Sequence, residues 1–123
     1  MAGPRVLLTG ATGFLGTHIL TALHARKSEA WSLSRRPPPD IPPERWIALH
    51  NVADREAMRQ AIASAAPDVI IDAAGAAVGA LETIYAANAV FGATLLAAAA
   101  DAAPQARIVL TGSAAECGFV PPE

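Results

Sequence analysis

The stretch Val6-Leu7-Leu8-Thr9-Gly10-Ala11-Thr12-Gly13-Phe14-Leu15-Gly16 decides how this chain folds. Arg5 to Thr9 is a short apolar run bounded by Pro4 and Gly10, which reads as a buried strand. Glycine then recurs at every third position. A helical period follows, with Leu15, Ile19, Ala22 and Leu23 on one face. Gly10 allows a tight turn, Gly13 leaves room for a pyrophosphate against the backbone, and Gly16 lets the helix sit close to the sheet. The helix N-terminus adds free N–H groups and the positive end of the helix dipole. A glycine triplet between a strand and a helix points to dinucleotide binding rather than to a purely structural turn. A P-loop is excluded, because no Gly-Lys-Ser/Thr follows.

The rest of the chain alternates in the same way. Ala30 to Ser34 reads as a second strand, and the proline-rich run from Arg35 to Arg45 as a stiff, irregular surface loop. Trp46 to Leu49 reads as a third strand. Asp54 caps a helix carrying Met58, Ala61, Ile62 and Ala65 on one face, which Pro67 ends. Val69 to Ala73 is a fourth strand. A long helix from about Leu81 to Ala102 places Leu81, Ile84, Tyr85, Asn88, Phe91 and Leu95 on one stripe, and Pro104 stops it. Arg107 to Thr111 is a fifth strand. The expected fold is α/β: a Rossmann-type doubly wound parallel sheet with helices on both faces, in an incomplete form of about five strands. Residues 1–123 read as one domain without repeats.

Composition narrows the class. The hydrophobic fraction of 53% and charged fraction of 16% describe a globular chain. A net charge of −2, with no basic run beyond Arg35-Arg36, argues against a nucleic-acid partner. Cys117 is the only cysteine, and His18, His24 and His50 lack metal-ligand spacing, so no disulfide or metal site is expected. The N-terminal apolar run is too short for a signal peptide. Asn88, Thr94 and Asp101 interrupt the most apolar segment, so no membrane span is expected. The expectation is a cytoplasmic protein.

The spacing of Thr9-Gly10-Ala11-Thr12-Gly13-Phe14-Leu15-Gly16, G-x-x-G-x-x-G, resembles the short-chain dehydrogenase/reductase superfamily. Its G-F-L-G ending looks like the extended branch, the NAD-dependent epimerase/dehydratase family. Three further segments are similar to that family: V-I-I-D-A-A-G at 69–75, N-A-V-F-G-A-T-L-L at 88–96, and L-T-G-S-A-A-E-C-G-F-V-P-P-E at 110–123. The last is most like nucleotide-sugar 4,6-dehydratases and related reductases. The resemblance spans essentially the whole chain.

The resemblance implies a cofactor site made of Gly10, Thr12, Gly13, Phe14, Leu15 and Gly16, with Ala73, Ala74 and Gly75 under the cofactor. Asn51 and Val52 fall where the family's Asp-hydrophobic pair meets the adenine. Asn88 is polar on an apolar stripe, so its amide is expected to be buried and hydrogen-bonded. It either anchors a neighbouring strand or reaches the active site. NAD enzymes place a carboxylate at the end of the second strand, about 20 residues past the glycines. This chain has Ser34-Arg35-Arg36 there. Arginine grips a 2′-phosphate through its fork of donors, so NADP(H) is favoured over NAD(H). The competing reading makes Arg35 and Arg36 the solvated start of the proline loop.

Ser113 matches the family's catalytic Ser or Thr, which hydrogen-bonds the sugar oxygen. Ala114 and Ala115 stand where dehydratases carry acidic residues. Glu116 is displaced by one position, which leans towards an epimerase or reductase. Cys117 replaces the family's usual Tyr and reads as a small buried thiol. Tyr85 reads as a packing residue. The family's Tyr-x-x-x-Lys pair is not here: the sole tyrosine, Tyr85, is followed by Ala89 at the lysine's place, and the sole lysine is Lys27. The expectation is the cofactor-binding front part of an extended short-chain dehydrogenase/reductase acting on a nucleotide-activated sugar, inactive alone. Family members often dimerise through the helices around strands four and five, so a homodimer is a further expectation. The alternatives are a non-catalytic NADP-binding module or sensor, and a non-functional remnant.

Overall fold

The computed structural model describes residues 3–113, Gly118 and Pro122. Five strands, β1 (Arg5–Thr9), β2 (Glu29–Ser34), β3 (Trp46–Ala48), β4 (Val69–Asp72) and β5 (Arg107–Leu110), form one parallel sheet in the order β3-β2-β1-β4-β5. The chain starts in the middle, runs out to one edge, then returns past β1 to the other. The order reverses between β1 and β4, and ligands of such sheets bind in the crevice at that point, beyond the carboxyl ends of the strands.

Side chains alternate across the sheet. Leu7, Leu33, Ile70 and Ile108 point to one face. There they pack with helix α2 (Arg55–Ala65), through Met58, Ala61, Ile62 and Ala65, and with helix α4 (Phe91–Ala102), through Phe91, Leu95, Ala98 and Ala99. Leu8, Ala30 and Ile71 point to the other face, towards Leu20 of helix α1 (Phe14–Ala25). Asp54 caps α2 by accepting a hydrogen bond from the Ala57 N–H at 2.9 Å, as its position predicts. Ala66, in the left-handed region at φ +43°, turns the chain out of the helix before Pro67.

Several local expectations need correction. Strand and helix do not alternate between β2 and β3. That crossover is the proline segment, and it is not wholly irregular or superficial: Pro43–Arg45 form one 3₁₀ turn, and Ile41 is buried against the α1 face. On α1 the buried residues are Gly16 and Leu20, with Ile19 and Leu23 half-buried, whereas Leu15 and Ala22 are exposed. The contact of Gly16 with the glycine turn sets the helix's rotation.

The long helix is also not one regular stripe. Helix α3 (Leu81–Tyr85) passes into a π-helical segment, Ala86–Val90, before α4 begins. The wider turn shifts the phase. Phe91 and Leu95 therefore face α2, while Leu81 is 77% and Tyr85 64% exposed rather than packed. By length and composition alone, the continuous helix Leu81–Ala102 is apolar enough to cross a membrane. In this fold the apolar residues of its second half fill the interface with α2 and the sheet.

Candidate functional site

A cleft of about 640 Å³ opens at the carboxyl ends of β1, β2 and β4. Each wall belongs to a different connection. Gly10, Thr12 and Gly13 come from the turn after β1. Leu33, Ser34, Arg35 and Arg36 come from the end of β2, and Leu49 and Val52 from the chain after β3. Ala73, Ala74 and Gly75 follow β4, and Ala87 and Phe91 descend from the long helix.

The turn after β1 can only be built from glycine where it matters. Gly10 has φ +69°, and a β-carbon on it would collide with the Ala73 carbonyl and the Ala74 nitrogen. The backbone after β1 thus lies directly on the backbone after β4. A β-carbon on Gly16 would overlap the Gly10 carbonyl oxygen, so the first turn of α1 rests on the turn that precedes it. The Gly13 N–H donates to the Gly10 carbonyl at 3.0 Å and closes the loop. The next N–H groups, of Phe14, Leu15 and Gly16, lie in the first helical turn and have no carbonyl one turn back. That turn, Phe14 to Thr17, carries no charged side chain. These features fit a dinucleotide: a compact backbone turn at the edge of the cleft, where a β-carbon on Gly13 would have only the Gly10 carbonyl oxygen within 4 Å, under a helix N-terminus suited to phosphate.

The floor of the crevice is tied by one carboxylate that sequence reasoning missed. Asp72 Oδ1 accepts from the Thr9 hydroxyl at 2.7 Å and from the Ala74 N–H at 3.1 Å. The Asp72 carbonyl accepts from the Thr111 hydroxyl at 2.8 Å and from its N–H at 3.1 Å. β1, β4 and β5 are thereby held together at the end where they meet the cleft. The only signal in the sequence was an acidic residue closing an otherwise apolar strand.

The remaining predicted residues distribute as follows. Asn51 is exposed. Its Oδ1 accepts from the Ala53 N–H at 2.9 Å, which shapes the turn after β3. Asn51 lines an adjoining hollow with Arg35, His50, Val52, Glu82 and Thr83. Asn88 is exposed rather than buried. It clamps the loop after β4 through both main-chain groups of one residue: its Oδ1 accepts from the Ala76 N–H at 3.0 Å and its Nδ2 donates to the Ala76 carbonyl at 2.7 Å. The π-helical segment carries Asn88 beside Gly75, where a β-carbon would lie 2.8 Å from its Oδ1. Of the two roles open to Asn88, this is an anchoring one, directed at a loop rather than a strand. Ser113 is exposed beyond β5 and is not among the residues lining the cleft. Ala114, Ala115, Glu116 and Cys117 lie outside the described residues. Leu33, Leu49, Ala87 and Phe91 complete the cleft without having been singled out. Their apolar character marked them only as core.

The family model for the NAD dependent epimerase/dehydratase family matches residues 6–123. The chain belongs to this family. Among curated proteins, this family member is 33% identical over 122 residues to the dTDP-6-deoxy-L-talose 4-dehydrogenase (NAD(P)(+)) of Kitasatospora kifunensis, a match covering 98% of the chain and 38% of the relative. Among solved structures it is similar to the uronate dehydrogenase of Agrobacterium tumefaciens, with 32% identity and a TM-score of 0.73, covering 92% of this chain and 42% of that one. A variant of the same dehydrogenase, complexed with NAD, matches at 30% identity and a TM-score of 0.73, over 89% of this chain and 41% of that one. The Bordetella bronchiseptica enzyme WbmH, in complex with NAD+, shares the fold with a TM-score of 0.78 at 21% identity, over 98% of this chain and 43% of that one. This epimerase/dehydratase chain thus spans about two-fifths of the length of these relatives.

Proposed function

We propose that this chain is the dinucleotide-binding part of a sugar oxidoreductase, that it prefers NADP(H), and that it acts in the cytoplasm. The carrying observation is the cleft itself. Its floor is the glycine turn at the point where the strand order reverses, and its rim beyond β2 presents Arg35 and Arg36 where an NAD enzyme keeps a carboxylate. An arginine fork there pairs with a 2′-phosphate in two parallel bonds. The name of the Kitasatospora relative allows either cofactor.

The bound nicotinamide supplies hydride transfer; this chain's residues hold and orient it. Gly10 and Gly13 would let the pyrophosphate reach the first turn of α1, Val52 and Asn51 would hold the adenine end, and Ala73 to Gly75 would form the surface beneath the cofactor. The substrate we favour is a nucleotide-activated sugar, oxidised or reduced at a carbinol carbon, with the Ser113 hydroxyl placed against the reacting oxygen. The Kitasatospora relative's name supports this class. The uronate dehydrogenase supports a second reading, in which the sugar is a free uronate. Residues 1–123 contain no Tyr-x-x-x-Lys pattern, so binding without turnover is expected of this chain alone.

Calorimetric titration of the purified chain with NADPH and, separately, NADH tests the proposal. Saturable binding that favours NADPH, and loses that preference in Arg35→Ala, is the expected result. Equal affinity for both cofactors, or none for either, overturns it.

A further inference from the structure

We infer that Trp46 sets the cofactor preference of this chain without touching the cofactor, by fixing the hydroxyl of Ser34 and through it the backbone that presents Arg35. The inference rests on the NADP(H) reading above and names the residue that builds its selectivity.

The geometry is a directed relay. The Trp46 indole Nε1–H donates to Ser34 Oγ at 3.1 Å, and Ser34 Oγ donates to the Arg36 carbonyl at 2.6 Å. An indole nitrogen can only donate. Ser34 must therefore accept from it, which turns the hydroxyl proton towards Arg36. The Ser34 carbonyl is also engaged, accepting from the Leu49 N–H at 3.0 Å. Ser34 is thus held through its main chain and its side chain at once, immediately before the two arginines. Beyond them, Pro37, Pro38 and Pro39 fix φ and stiffen the far side of the turn.

Trp46 is a firm anchor for this arrangement. It opens β3, sits in register with Ser32 of β2, and packs half-buried against the cluster of Leu8, Leu20, Ala30 and Ile41. Arg35 and Arg36 are exposed, and long side chains on a loose loop lose much freedom on binding a phosphate. A loop already ordered in the free protein avoids much of that cost. The gain falls on the ligand that uses the arginines: NADPH, which carries the 2′-phosphate, and not NADH.

The test is the ratio of the NADH and NADPH dissociation constants for wild type, Trp46→Phe, Ser34→Ala, Ser34→Thr and the double variant Trp46→Phe/Ser34→Ala. Phenylalanine keeps the apolar ring and deletes the donor. The ratio cancels any shared loss of folded protein. Each single deletion should lower it about threefold to tenfold, the worth of one net hydrogen bond. The double variant should lower it no further, and Ser34→Thr, which keeps the hydroxyl, should retain it. Ser34→Ala removes the same bond without disturbing the core ring, so it decides the matter if Trp46→Phe fails to fold. A wild type that prefers NADPH, with ratios unchanged in the deletions, overturns the relay and leaves the NADP(H) reading standing. A wild type without preference overturns both.

Discussion

A β-carbon on residue 16 has nowhere to go, because it would overlap the Gly10 carbonyl oxygen. The neighbour is backbone, pinned in turn by the hydrogen bond from the Gly13 N–H. No rotamer change relieves the contact, so the helix must lift off the turn. We expect Gly16→Ala to cost about 2–3 kcal/mol of stability, the range of overpacked sites whose surroundings cannot yield. The midpoint of urea unfolding should fall with little change in slope. Dinucleotide affinity should fall further than the loss of folded protein explains, because lifting α1 withdraws the N–H groups of Phe14 and Leu15 from the phosphate. A variant that keeps both wild-type stability and affinity would show that the close packing at Gly16 is dispensable.

Single elements show what could be read from the residues and what could not. The start of α2 was legible because its signal is a side chain, Asp54 in the cap; the structure adds acidic Glu56 in the first turn, beside the helix dipole. Arg59 Nε and Nη2 donate to the two Glu56 carboxylate oxygens at 2.9 and 2.7 Å, and Gln60 adds a third bond at 3.1 Å. The hydrogen bonds from Arg59, then from Gln60, lower the Glu56 carboxyl from 4.5 to about 2. A carboxyl lowered in the folded state stabilises fully above its unfolded value and loses that contribution as pH falls through the folded one. The α2 contribution should therefore fade between about pH 4.5 and about pH 2. Acid unfolding of Glu56→Gln should be less steep in that window, and NMR titration of the Glu56 carboxyl should show its midpoint near the lower end. A midpoint close to 4.5 would mean that the pairs with Arg59 and Gln60 do not persist in solution. The long helix was legible in extent but not in phase. The π-helical segment at Ala86–Val90 is a change of backbone pitch in the run Ala-Ala-Asn-Ala-Val, whose pattern does not announce it. Leu81 and Tyr85 were accordingly assigned to the core, and Asn88 to a buried position.

At the scale of the molecule, the parallel sheet and its central glycine turn were readable because apolar runs and punctuating Gly and Pro repeat along the whole chain. The cleft was readable only in part. Residues such as Leu33, Leu49 and Phe91 become cleft lining through tertiary placement, which periodicity does not encode. The same placement leaves an open margin. Among the described residues, β5 pairs with β4 alone and forms one edge of the sheet. On one side of it Leu110 is 51% exposed, on the other Val109 is 43% exposed, and Leu96 of α4 is 40% exposed. Among the described residues, α1 covers the β1–β2 side of the Val109 face. An edge strand with apolar side chains on both faces and a row of unpaired backbone groups recruits further polypeptide. We expect the isolated chain to self-associate as concentration rises, with a weight-average mass above that of one chain in sedimentation equilibrium. Val109→Lys places a charge on that edge while leaving the register of Ile108 with Ile70 intact, and it should shift the distribution towards monomer. Val109 is not among the residues that line the cleft, so NADPH affinity should change less than twofold in this variant. Self-association unchanged in Val109→Lys would move the contact away from β5, with the exposed Phe14, Val78 and Leu81 side chains as the next surface to alter.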